Sequence, residues 1–437
     1  MNDTSPAEGS SPERPPRATP PVLAGRPPSL VDDSRKDASQ KDASLEDVSL
    51  EDVSPGDVSL EDVETPAALI DLSRVRRNLR TTVDYARAHG LAWRPHVKTH
   101  KSPELARLQL EAGATGLTVA TPREAEVMAG VTSDLLLAHP PVGPKIPRIL
   151  ALPDHVHLSV ALDSASLVDP LARAARAAGR TLGILVEVDV GMGRVGLQEP
   201  EQVVALARSI ASAGPELAWQ GLLFYPGHIR LPQEEQSSLL TQVAERLGAS
   251  LDALHRAGLP PATVSGGSTP TLYQSHRVPG LTEIRPGTVI FHDRDSVALG
   301  VGTLDVVAYT VLATVVSTGV PGQAVVDAGS KALAKEEFRA LSAGVAGGAS
   351  GGGGYGILLD RPDVRVASVS EEHGVLDLSA TDWRPVVGER VRIVPNHVCV
   401  SVNLQDRLLA FDPEAEDGTR LREILLPGRG RLRIGSP

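Results

Sequence analysis

The feature that most constrains the fold is a regular alternation between Ala92 and Ile284, in which short apolar runs are followed by amphipathic stretches of helical period. Eight runs read as strands: Ala92–Val97, Gly116–Ala120, Asp134–Ala138, Val156–Leu162, Leu182–Val188, Trp219–Phe224, Ala262–Ser265 and Leu281–Ile284. Between them, Pro103–Ala112, Pro122–Ala129, Leu167–Ala178, Pro200–Ala213 and Gln233–Ala257 read as helices. Such alternation buries both faces of a parallel sheet, either as a (β/α)8 barrel or as an open doubly wound sheet. A barrel is expected, because the chemically unusual residues follow so many different strands. An earlier strand, Glu64–Asp71, leads into a helix over Ser73–Ala88.

From about Val301 the helical periods stop. Val306–Ser317, Gly322–Asp327, Val364–Ser370, Arg390–Val394 and Leu408–Phe411 read as strands without helices between them. The expected division is therefore a barrel over 64–300 and a mainly β domain over 301–437. Residues 1–63 read as a disordered tail. A Pro/Ser-rich start gives way to an acidic five-residue repeat opening at Asp37, Asp42, Asp47, Asp52 and Asp57. A period of five matches neither a helix face nor a strand face, and the apolar content is too low to offset ordering entropy. The glycine run Gly344–Gly356 lacks the lysine-serine ending of a phosphate loop and reads as a surface loop.

Composition removes several function classes. A formal charge of −11 argues against nucleic acid as a partner. No apolar stretch approaches the roughly 18 residues that span a bilayer. The N-terminus carries no apolar signal region, and the single cysteine, Cys399, excludes an intrachain disulfide. These readings point to a cytoplasmic protein. With aromatics at 3%, the core must be built from Leu, Val, Ile and Ala.

The residues that could do chemistry follow the strands. After the first comes Lys98, within Arg94-Pro-His-Val-Lys98-Thr-His-Lys101. A lysine ending a buried strand suits Schiff-base chemistry, because burial favours the neutral, nucleophilic amine; an anion-binding loop or plain solvated charge fits the same residues. After the fifth strand comes Asp189-Val-Gly-Met-Gly-Arg194-Val-Gly196, and after the sixth Tyr225-Pro-Gly-His228. The seventh ends in Ser265-Gly-Gly-Ser-Thr269 and the eighth in Glu283-Ile-Arg285-Pro-Gly287-Thr288. Barrel enzymes build their sites at this face and often hold phosphate after strands seven and eight. Glycine-exposed amides and hydroxyls at Ser265–Thr269 and Gly287–Thr288 suit an anion, though ordinary turns have the same composition. His397-Val-Cys399 is a second candidate centre. On a strand, residues two apart share a face, so this is either an imidazole–thiolate metal pair or two core residues. His373, in Ser370–Gly374, is either a site residue or a turn histidine.

Taken in order, the lysine, DxGMGRxG, YxGH, SGGST and RPG motifs resemble the fold-type III pyridoxal-phosphate enzymes, whose barrel is of the alanine racemase type. RPHVKTHK, with SEEHG and PNHVCVSVNL in the β domain, resembles the D-threonine aldolase and D-serine dehydratase group over about residues 64 to 415. The resemblance implies that Lys98 holds pyridoxal 5'-phosphate as a Schiff base. It also implies that Arg194 sits near the cofactor's phenolic oxygen, and Arg285 matches the arginine that stands beside the pyridine nitrogen in the racemases. Tyr225 and His228 would line the ring, with Gly266, Gly267, Ser268, Thr269, Gly287 and Thr288 around the phosphate. His397 and Cys399 would hold Zn2+. Where the family often carries tyrosine after RPG, this chain reads Thr288-Val-Ile-Phe-His292. The implied activity is a metal-assisted lyase acting on β-hydroxy D-amino acids, in a homodimer. Two alternatives use the same barrel: an alanine racemase, and a non-catalytic cofactor carrier, which has no β domain.

Overall fold

The computed structural model describes residues 60–338, 353–415, 418 and 420–431. The repeats of the expected tail and most of the glycine run lie outside the described residues.

Eight strands form one parallel sheet: β2 (Ala92–Trp93), β3 (Leu117–Val119), β4 (Asp134–Leu137), β5 (His157–Leu162), β6 (Leu182–Val188), β7 (Leu217–Phe224), β8 (Thr263–Gly266) and β9 (Glu283–Ile284). Their order is β2-β9-β8-β7-β6-β5-β4-β3. The two ends meet at a parallel bridge between His96 and Thr118, where the Thr118 N–H donates to the Pro95 carbonyl at 2.9 Å. The sheet thus curls into the expected alanine racemase-type barrel. Every residue of β6 is buried, as a strand covered on both faces requires. The helices Pro103–Ala112, Pro122–Met128 and Pro200–Ser212 begin with proline, whose fixed φ and missing N–H suit a first helical position. Among the described residues, no helix is long and apolar enough to cross a membrane.

The first barrel strand is shorter than its apolar run. It ends at Trp93, and Pro95 leads into a 3-10 turn over Val97–Thr99. Lys98 therefore sits on a turn and is exposed, where a buried strand end was expected.

The second sheet contains β1 (Ala67–Asp71), β10 (Tyr309–Ser317), β11 (Gln323–Val326), β12 (Gly356–Leu358), β13 (Arg365–Val369), β14 (Gly374–Asp377), β15 (Arg390–Pro395), β16 (Arg407–Phe411) and β17 (Arg422–Leu425). The antiparallel run β11-β14-β13-β12-β15-β10 closes on itself, because β10 bends far enough to pair β11 as well. From β10 the sheet continues through β1 and β16 to β17. The strand preceding the barrel is thus shared with the β domain, antiparallel to β10 and parallel to β16. Residues 60–63, grouped with the tail from sequence, belong to this sheet's packing. Val63 is buried with Leu69, Leu312 and Leu421, and Arg390 donates to the carbonyls of Leu60, Glu61 and Val63.

Candidate active site

A cavity of about 680 Å3 opens where the C-terminal ends of the barrel strands meet the β domain. Its wall gathers Lys98, Arg194, Tyr225, Gly267, Ser268, Thr269, Arg285, Gly287, Thr288, His397 and Cys399, which the chain supplies from five strand ends and the second domain.

The RPHVKTHK segment separates its residues by partner. His100 is buried, accepting from the Ser102 N–H at Nδ1 and meeting Gln109 Oε1 at 3.0 Å through Nε2; burial drops its pKa to about 4. Lys101 Nζ lies 2.5 Å from Oε1 of Glu124, which is fully buried. Lys98 has no such tie. Its ammonium stands 5.8 Å from the centroid of Tyr225, and Arg194 stands 5.0 Å from the same centroid. Arg194 is delivered by a turn that Asp189 organises: its carboxylate accepts from the N–H groups of Gly191, Met192 and Gly193 and from Gln198. Burial works against that carboxylate, but these donors outweigh it and hold its pKa below the usual value.

Arg285 is fixed from behind, donating through Nη1 to Ser265 Oγ and through Nη2 to the Phe224 carbonyl, both at 2.7 Å. Opposite, Gly267 adopts a left-handed φ of +79°, turning the end of β8 so that Ser268 and Thr269 line the cavity. At Gly287 a Cβ would meet the His96 carbonyl oxygen at 2.3 Å, so only glycine lets the loops after β2 and β9 close together.

His397 and Cys399 converge by a different geometry from the expected strand. β15 ends at Pro395; His397 caps the helix Val398–Leu404, and Cys399 lies in its first turn. The imidazole is hydrogen-bonded to Cys399, and its Nδ1 is 3.0 Å from Asp293 Oδ2, which also accepts from the Val398 N–H. Cys399 Sγ is 3.3 Å from Thr99 Oγ1 and 3.6 Å from Thr288 Oγ1. Burial pushes this thiol up, but the charge and hydrogen bond of His397, with help from Lys98, bring it down to about 6. Burial opposes protonation of His397 too, and is overcome by Cys399 and Asp293, so its pKa stands well above normal. Each group thus favours the charged form of the other. Thiolate and imidazole are the donors zinc takes, and a carboxylate behind the histidine is the usual means of orienting such a ligand. No group of three or more His, Cys, Asp and Glu ligands occurs among the described residues.

Two of the expected residues do not line the cavity. His228 turns away from the cavity toward Gly191, with its Nδ1 buried and unpartnered, and Gly266 lies under the Phe224 ring. His373 is an exposed turn residue whose carbonyl accepts from the Ser370 N–H. Thr99, Glu187 and Asp293 line the cavity and were missed. Glu187 had a signal: it stands two residues before Asp189 at a strand end, hence on the same face. Asp293 had none, since its partner is distant in sequence.

The donor set fits pyridoxal phosphate. One cavity of suitable size offers an amine, three guanidinium groups, an aromatic face and a hydroxyl-lined glycine turn. Residues 70–295 match the family of the alanine racemase N-terminal domain, and residues 308–411 match the putative serine dehydratase domain. The chain is 34% identical to D-threo-3-hydroxyaspartate dehydratase of Delftia sp. (strain HT23), over 78% of this chain and 92% of that protein. The crystal structure of D-threonine aldolase from Filomicrobium marinum superposes with a TM-score of 0.75 at 30% identity, covering 87% of this chain and 99% of that one. A cysteine-to-alanine mutant of D-threo-3-hydroxyaspartate dehydratase, in the metal-free form, superposes equally well at 31% identity, covering 84% and 99%. Two matched domains in this order, over a cavity furnished in this way, make the chain a member of the D-threonine aldolase and D-serine dehydratase family of fold-type III pyridoxal-phosphate lyases.

Proposed function

We propose that this lyase is a dehydratase: it removes water from a β-hydroxy D-amino acid and releases an oxo acid and ammonia. The observation that carries the reading is the His397–Cys399 pair, held by Asp293 on the wall of the cavity that Lys98 enters. Lys98 would hold pyridoxal phosphate, with Arg194, Arg285 and Tyr225 about its ring. Ser268, Thr269, Gly267, Gly287 and Thr288 would surround its phosphate; His228 and Gly266 would support the neighbouring turns. His397 and Cys399 would hold a divalent metal, and soft thiolate ligation favours Zn2+ over Mg2+ or Mn2+.

Bound pyridoxal phosphate supplies an electron sink at the substrate's Cα, and a zinc ion supplies Lewis acidity at the β-hydroxyl. The chain's own residues do the rest. With cofactor and substrate bound, Lys98 Nζ would be placed to take the α-proton. Thr99, in contact with Cys399, is placed to donate a hydrogen bond to an oxygen leaving from that wall. Loss of the α-proton and the β-hydroxyl yields water and an enamine, which tautomerises and hydrolyses to the oxo acid and ammonia. Aldol cleavage would instead deprotonate the hydroxyl and break Cα–Cβ.

The test is product analysis with D-serine, D-threo-3-hydroxyaspartate and D-threonine, with and without chelator. Oxo acid and ammonia, abolished by chelator and by Cys399→Ala, support the proposal; glycine with an aldehyde replaces it with an aldolase. A homodimeric state, implied by the family resemblance, and a cytoplasmic location, expected from the single cysteine and the absence of an apolar signal region, complete the proposal. Size-exclusion chromatography tests the former.

A further inference from the structure

We infer that Glu283, acting through Ser265, is a positioning residue for Arg285, at the inner end of a hydrogen-bonded relay of charges that crosses the barrel interior from Asp134. The connections are continuous. Asp134 accepts a two-pronged contact from Arg94, with Nη1 at 2.7 Å and Nη2 at 2.9 Å. Arg94 Nε donates to Glu283 Oε2 at 2.7 Å. Ser265 Oγ lies 2.6 Å from Glu283 Oε1 and 2.7 Å from Arg285 Nη1.

Hydrogen-bond chemistry gives the relay one direction. An ionised carboxylate only accepts, so the single Ser265 proton goes to Glu283, and the Ser265 lone pair must accept from Arg285. Charges alternate along the chain and cancel. Its outer end, Asp134, keeps 42% of its side chain exposed, while Ser265, Glu283 and Arg285 are all buried. Residues adjoining or within four strands, β2, β4, β8 and β9, contribute to it. For stability alone, apolar side chains would fill this space at least as well as buried charges. What the relay adds is orientation. Both terminal nitrogens of Arg285 are anchored on the strand side, by Ser265 and by the Phe224 carbonyl, leaving its other N–H groups for the cavity. Burial lowers the Arg285 pKa to about 10 against the opposing pull of Glu283, so the carboxylate helps keep this guanidinium charged.

The inference rests on the reading of Arg285 as a neighbour of the cofactor ring. The experiment therefore follows the visible absorbance of the cofactor on Lys98, and its pH midpoint, in holoenzyme carrying Arg285→Gln, Ser265→Ala, Ser265→Thr, Glu283→Gln or Asp134→Asn. Arg285→Gln should shift the band. Ser265→Ala, which leaves every charge in place, should shift the pH midpoint and lower kcat by about 10-fold to 100-fold with KM nearly unchanged, as for other residues that act through a ligand. Glu283→Gln should do the same if it folds; Ser265→Thr should restore both readouts. Asp134→Asn, at the wet end, should have the smallest effect. Wild-type midpoint and kcat in Ser265→Ala, beside a shifted Arg285→Gln, would overturn the relay. An unshifted Arg285→Gln overturns the ring assignment itself.

Discussion

At the residue scale, two lysines three positions apart have opposite tasks. Lys101 neutralises the fully buried carboxylate of Glu124, whereas Lys98 faces the cavity. Lys101→Met leaves a buried charge without its partner, which costs about 3–5 kcal/mol. Denaturant unfolding should register that loss in Lys101→Met, with the visible absorbance of bound cofactor retained. Lys98→Ala should reverse the pattern: near-normal stability and no lysine-bound cofactor band. Glu187 offers a pH test. Burial chiefly, aided by Asp163 and Asp189 against two arginines, raises its pKa from 4.5 to about 7. The fold accommodates the neutral carboxyl, so its contribution is full below about 4.5 and lost as pH rises through about 7. In the cofactor-free protein, wild type should lose on the order of 3 kcal/mol relative to Glu187→Gln across that window. Parallel stability curves for the two proteins would remove this account. The motif residues were legible because each was followed by a glycine turn or sat at a strand end. Asp293 was not, because only the folded chain brings it to His397.

At the scale of elements, the eight barrel strands were legible from apolar runs, yet their ends were not. β2 stops at Trp93 because Pro95 has no N–H to continue the ladder. His397 and Cys399 were assigned to a strand by their apolar neighbours, but those neighbours form one buried side of a helix at Val398, Ser401 and Val402. The pair still meets, since a cap and the first helical turn bring residues two apart close together. β12, β14 and β17, of three or four residues each, went unread. One strand contains a built-in irregularity. β6 and β7 shift register between Ile184 and Leu185, and Gly221 takes a φ of +146° where a Cβ would meet the Thr263 carbonyl oxygen at 1.9 Å. This bulge lets β8 approach β7 closely and lies two turns of pleat below the site. Gly221→Ala should therefore lower stability by at least about 2 kcal/mol, measured as a fall in thermal midpoint. A midpoint matching wild type would mean the strand can slip without cost.

At the scale of the whole molecule, the division into a barrel over 64–300 and a β domain over 301–437 follows the sequence pattern but cuts through a sheet. β1 lies between β10 and β16, hydrogen-bonded to both. Ile70 and Leu69 are fully buried, Val63 packs beside Leu312 and Leu421, and Arg390 holds the carbonyls of Leu60, Glu61 and Val63. A chain starting at residue 301 would lose the strand that joins β16 and β17 to the rest, leaving β10 with an open edge and an apolar face uncovered. The barrel alone would lose both partners of β1 and the His397–Cys399 wall of its cavity. Neither segment should fold by itself, although each looks like a domain. Calorimetry of residues 60–437 should give one cooperative transition, and residues 301–437 alone should lack native circular dichroism. Starting the chain at Leu60 should preserve the thermal midpoint of the full protein. Starting it at Glu64 should lower stability by about 1–3 kcal/mol, because Val63 leaves its cluster and the Arg390 guanidinium loses its acceptors. Two separate transitions, or a folded 301–437 fragment, would show that β1 contributes little and that the sheet closes without it.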